Sequence, residues 1–106
     1  MKTKPENDTD LHDKINRETG RIAWSELERH FAQGNVIFVS AELDLIDVAM
    51  RISHDDKATI AAWMGDGKLA KVSDLQTRTW SAAGSALWAA VVHPFILVQP
   101  EKQQLH

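Results

Sequence analysis

The 106-residue chain contains no cysteine and no tyrosine. Without a thiol there can be no disulfide, cysteine-ligated zinc, iron–sulfur cluster or thiol nucleophile. Without tyrosine, four tryptophans carry much of the aromatic packing. Basic charge is also short. Twelve Lys and Arg stand against 15 Asp and Glu, for a formal net charge of -3, far from the basic footprint of a typical nucleic-acid binder. Long apolar runs are missing too. The longest, Ala86 to Val98, is interrupted by His93 and Pro94 and falls short of the roughly 17–25 residues a membrane-spanning helix needs. Met1 to Asp10 mixes Lys2 and Lys4 with Glu6, Asp8 and Asp10 and holds no hydrophobic signal segment, so a cytoplasmic protein away from membranes is expected. The 43% hydrophobic content suits one globular core at this length. The expected organisation is a flexible segment over 1–9, a single domain over 10–99 and a flexible tail over 100–106.

Within the domain, Leu11 and Ile15 lie four apart among polar residues and predict an amphipathic helix ending near Gly20. Ser25 and Glu28 have the spacing of a capping box, Leu27 and Phe31 form a stripe, and Gly34 stands where a left-handed C-cap belongs, which predicts a helix over 24–33. Val36 to Val39 reads as a short buried strand. Leu45, Val48, Ala49 and Ile52 follow helical spacing with Asp44, Asp47 and Arg51 facing away. Asp55 is the expected N-cap of the next helix, in which Ile60, Trp63 and Met64 share a face and which Gly65-Asp66-Gly67 stops. Leu69 to Val72 is a strand candidate, and Ser73 with Gln76 is a second capping box opening a short helix to about Trp80. Leu87 to Val98 reads as two strand segments joined by a bulge or bend, or as one strand with Pro94 on an edge.

This order predicts an α+β domain, with helices packed on one face of a short three-stranded sheet. The helix pair in Leu45 to Gly65 holds the position of a helix-turn-helix, so a winged-helix-like topology is the specific form considered.

Nearly the whole chain also resembles a small uncharacterised bacterial family, the domain of unknown function numbered 2288. The likeness rests on Glu18-Thr19, Trp24 with Leu27, Phe31 and Gly34, Glu42-Leu43-Asp44-Leu45, Asp55-Asp56, Trp63, Val72-Ser73, and Leu87-Trp88 followed by Pro94 and Val98. Gly20 and Ala23 depart from the residues expected there. The resemblance implies a stand-alone cytoplasmic bacterial domain and carries no activity with it.

No residue pattern assembles a catalytic, cofactor or metal site. His54-Asp55-Asp56 places three ionisable groups in a row, but neighbours on a turn point apart and no second ligand follows at helical spacing, so a helix-capping turn is preferred. Glu42, Asp44 and Asp47 read better as a solvated helix start favoured by the dipole than as paired catalytic carboxylates. No Gly-x-Ser-x-Gly elbow surrounds any serine. Gly65-Asp66-Gly67-Lys68 lacks the spacing of a phosphate loop and follows a helix where a phosphate loop precedes one. His93 is expected to be partly buried and hydrogen-bonded inside the apolar final run. Trp63 and Trp88 are expected in the core, with Trp24 and Trp80 straddling its boundary.

A non-catalytic module that binds another protein or itself is the leading expectation, because the surface charge is near balance and the apolar final segment exceeds what a small core hides. The alternative is a winged-helix-like nucleic-acid-associated regulator, for which Lys68, Lys71 and Arg78 are the basic group near a presumptive wing. Against it, the expected reading helix over 55–65 carries Asp55, Asp56 and Lys57 and no Arg, Asn or Gln to reach a base edge. An enzyme whose site forms only in space, from His30 or His93 and scattered carboxylates, is the second alternative.

Overall fold

A computed structural model describes residues 8–100. Residues 1–7 and 101–106, most of the two expected flexible ends, lie outside the described residues. Helix α1 spans Asp8–Arg17, strand β1 Thr19–Ala23, α2 Trp24–Ala32 and β2 Val36–Val39. Helices α3 (Leu45–Ser53) and α4 (Lys57–Gly65) follow, then β3 (Leu69–Lys71), α5 (Asp74–Ala83), β4 (Ala86–Val92) and β5 (Phe95–Pro100).

Most helix ends have local causes. Asp44 caps α3, its Oδ1 accepting from the N–H groups of Ile46 at 2.9 Å and Asp47 at 3.3 Å. Ser73 and Gln76 form a full capping box on α5. Gly34, after α2, and Gly84, after α5, adopt the positive φ that a left-handed helix end requires. Two expected caps are different. Asp56 caps α4, while Asp55 takes φ 56° in the turn that ends α3. Ser25 lies inside α2 and caps nothing. The N-cap there is Ala23, without a side-chain acceptor, and the Trp24 N–H donates to the Ser85 carbonyl at 3.0 Å across the sheet margin.

Among the described residues the sheet has five strands in the order β1-β4-β5-β2-β3, not three. Strand β1 has one large apolar residue, Ile22, and exists because it pairs antiparallel with β4, Thr19 opposite Ala90 and Ala23 opposite Ala86. The final apolar run folds into a hairpin, with a cis His93–Pro94 bond in its turn and β5 parallel to β2 at its far side. Pro94 therefore sits in a turn and off any strand edge.

Alternation along the strands builds two cores. Ile37, Val39, Ala90 and Leu97 face one side with Ile15 of α1 and Leu45, Val48 and Ala49 of α3. Val36, Phe38, Leu87, Ala89 and Val98 face the other with Trp24 and Leu27 of α2 and Trp80 of α5. Helices thus cover both faces, which corrects the one-sided expectation and explains why β4 and β5 are too apolar for half-exposed strands. The α+β class stands. The winged-helix topology assumed a small three-stranded sheet, whereas α3 and α4 here rest on a five-stranded mixed one.

The tryptophans exchange places relative to expectation. Trp24 and Trp80 are buried, their rings 5.2 Å apart at 59°, with Phe31 edge-on to Trp24 at 5.8 Å. Trp63 is half-buried against the first core, and Trp88 is 39% exposed beside cross-strand Arg21. Strand register decides this, because β4 turns Leu87 and Ala89 toward one core and sends Trp88 to the opposite side, where it lines an open cleft beside the start of α3.

Candidate functional site

Helix α4 is apolar on more than one side, and none of its residues is fully buried. Ile60 and Trp63 pack partly against the first core. Lys57, Ile60, Ala61 and Met64, at spacings of three, four and seven, form a stripe that faces an open groove. The turn after α4 sets the opposite wall. Gly67 at φ +76° lets its N–H reach the Met64 carbonyl at 3.1 Å and the Lys68 N–H reach that of Trp63 at 2.9 Å, folding the chain back into β3. Strand β3 pairs with β2 along one side, Val39 opposite Leu69 and Ile37 opposite Lys71. Its other side is the edge of the sheet among the described residues.

Between these walls lies a groove of about 470 Å³, floored by Ile37, Leu69 and Phe95 and roofed by Ile52, Ile60 and Met64. Met64 is 58% exposed and Phe95 37%. The charged rim holds Asp55, Lys57 and Lys71. Lys57 Nζ lies 3.8 Å from Asp55 Oδ2, whereas Lys71 has no ion pair among the described residues. The size falls within the usual range for binding pockets, and so does an apolar lining with a few polar groups at one end.

The basic group considered for a wing does not converge on one patch. Lys68 Nζ lies 3.4 Å from Glu42 Oε1 in the turn before β3. Lys71 stands at the groove, and Arg78 lines a separate cleft on the opposite face with Trp24, Glu28, Phe31 and Ser81. The acidic residues are likewise dispersed among partners: Glu42 to Lys68, Asp44 to the start of α3, and Asp47 Oδ1 3.5 Å from Arg51 Nε.

In the His54-Asp55-Asp56 turn, the His54 N–H donates to the Met50 carbonyl at 3.0 Å, and Asp56 caps α4 while accepting from Arg51 Nη1 at 2.9 Å. Hydrogen bonds from the Thr59 hydroxyl and N–H, then from Arg51, hold the Asp56 carboxyl below the usual carboxylate range. Among the described residues no three His, Asp or Glu side chains gather as a metal site. His93 is exposed in the β4–β5 turn, not partly buried, because the hairpin reverses there.

Sequence reading missed this groove. Its signal was present in Ala58-Thr59-Ile60-Ala61-Ala62-Trp63-Met64, a helix too apolar for one buried stripe. Nothing in the sequence placed Phe95 and Lys71 beside it.

Comparison with known proteins adds two findings. The family model described as Protein of unknown function (DUF2288) matches residues 10–100. The NMR solution structure of PA1075 from Pseudomonas aeruginosa is similar at TM-score 0.78 and 36% identity, with 100% of both chains covered. No curated protein matches. No helix among the described residues is long and apolar enough to cross a membrane.

Proposed function

The chain belongs to the DUF2288 family, and from that premise we propose that it is a non-catalytic interaction module, working in the cytoplasm and engaging another polypeptide through the groove between α4 and β3. One observation carries this reading: α4 spends apolar residues on a side the core does not cover, leaving Met64 and Phe95 exposed around a concave surface. Apolar surface gathered in one concave place on a small domain is the usual mark of a contact site.

The reason anticipated from sequence was different. The apolar final segment is largely consumed, since Leu87, Ala89, Ala90, Leu97 and Val98 are all buried. Both of its strands are internal to the sheet, so self-association through them has no free edge to use. Nucleic-acid binding finds less support, because Lys68 is already paired and Lys71 and Arg78 line different clefts.

The test compares proteins captured from the native cell by the wild-type chain and by Met64→Asp and Phe95→Asp, with light scattering on each. A defined partner retained by wild type and lost from both variants supports the reading. Identical captures by all three, with folding intact, overturn it.

A further inference from the structure

Resting on that reading, we propose that the groove takes an acidic, apolar-anchored segment of a different protein, with its anchors among Ile37, Ile60, Met64 and Phe95 and a carboxylate beside Lys71. The floor residues stand on successive strands: Lys71 on β3 directly opposite Ile37 on β2, and Phe95 on β5 two positions before Leu97, the residue opposite Ile37. A ligand lying diagonally across these strands passes from apolar surface to one cation within about 12 Å, two strand spacings across and two residues along. That cation is available. Lys57 is beside Asp55 at 3.8 Å, whereas Lys71 has no ion pair among the described residues. The groove therefore has an apolar end and a positive end, and its complement is apolar with one negative charge.

The outer edge of β3 favours a polypeptide as occupant. The groove opens where β3 has no neighbouring strand among the described residues, so backbone N–H and C=O groups on its outer side lie along the mouth. A second copy of this chain fits poorly. Two-fold pairing of groove against groove brings Lys71 toward the partner copy's basic rim, with the one rim carboxylate already beside Lys57. An exposed acid-apolar pair among the described residues, Asp74-Leu75, lies at the start of α5, which packs on the opposite face. Because the pair and the groove lie on opposite faces, docking one into the other is a head-to-tail contact, which leaves a groove and a pair unfilled on the end copies unless it closes into a ring. An acidic segment supplied by another protein avoids both difficulties.

The experiment is selection of a random-peptide phage display library on the intact chain, followed by fluorescence anisotropy with the winning peptides. The expected winners combine Asp or Glu with aliphatic or aromatic residues. Lys71→Glu should weaken them about tenfold or more, a peptide with its acid changed to lysine should bind that variant again, and Met64→Asp should abolish binding. Lys71 is exposed at a sheet edge, and unchanged far-ultraviolet dichroism controls for folding.

Failure to enrich any peptide, winners without an acid, or winners indifferent to Lys71→Glu overturn the proposal. So do winners that respond to Arg78→Glu in the other cleft. A wild-type dimer dissociated by Met64→Asp assigns the groove to a second copy and also overturns it. The two readings fail separately. A cellular partner lost from Met64→Asp but kept by Lys71→Glu preserves the interaction module and removes the acidic segment, while a partner indifferent to both removes both.

Discussion

Gln99 is buried in β5 at 8% exposure, and its Nε2 donates to two backbone carbonyls, Ser40 at 2.8 Å and Leu43 at 2.7 Å. These bonds tie Gln99, the second-to-last residue of β5, to the loop that leads into α3, 59 and 56 residues earlier in the chain. The side-chain amide must point this way, because only its nitrogen can donate to two carbonyls. Replacing Gln99 with methionine keeps the volume and removes both donors. The two carbonyls then fare differently. Ser40 keeps the Leu43 N–H at 3.0 Å, so its loss is an ordinary hydrogen bond of about 1 kcal/mol. The Leu43 carbonyl loses its Gln99 partner and is left partly desolvated, at about 1–2 kcal/mol. The expected destabilisation is about 2–3 kcal/mol, or roughly 8–20 °C in Tm for a domain of this size. Urea denaturation followed by tryptophan fluorescence measures it, with the midpoint falling and the slope unchanged. A change below about 0.5 kcal/mol would refute the claim that Gln99 anchors this loop. Gln99→Glu adds a sign test. A carboxylate facing two carbonyls is favoured protonated, so its folded pKa lies above the unfolded one, and that variant should lose stability as pH rises through the folded value.

Three further outcomes follow from the helix ends. Ser73→Ala should destabilise by about 1 kcal/mol because it opens a real capping box, while Ser25→Ala should be near neutral in the same thermal melts. Gly84→Ala should cost about 1 kcal/mol, since a Cβ meets nothing within 4 Å and the penalty is that of φ +62° alone; a neutral result in chemical denaturation would contradict the left-handed cap. Asp56 has a lowered carboxyl pKa in the folded state, so its contribution is present above the unfolded pKa and is lost as pH falls through the folded one. Acid titration of stability should therefore be shallower at its low-pH end in Asp56→Asn than in wild type.

Local caps were legible in part: Asp56 caps α4 one residue beyond the expected Asp55, and Asp44, expected only at a solvated helix start, caps α3. Ser73 with Gln76 and Gly34 follow from spacing alone, and so do β2 and α3 with their strong periodicities. Ser25 misled because α2 starts on a hydrogen bond from Trp24 to Ser85, a partner 61 residues along the chain, which no local pattern announces. Strand β1 was invisible for the same reason. Thr19-Gly20-Arg21-Ile22-Ala23 has little strand character until β4 supplies the other half of its ladder. The groove was half legible: α4 showed too much apolar surface, but its opposite wall belongs to β3 and β5.

By itself, then, the sequence determined the class, the helices with local caps and periodic stripes, and the exclusion of every thiol-based chemistry. Those depend on residue identity and on spacings within one or two turns. Tertiary structure alone decided the sheet's five strands and two-sided cover, the burial of Trp24 and Trp80 with Trp88 left outside, and the meeting of Met64, Phe95 and Lys71 around one groove. Each of these is set by register and pairing between distant segments, and a one-residue slip in register would have reversed which side chains face the core.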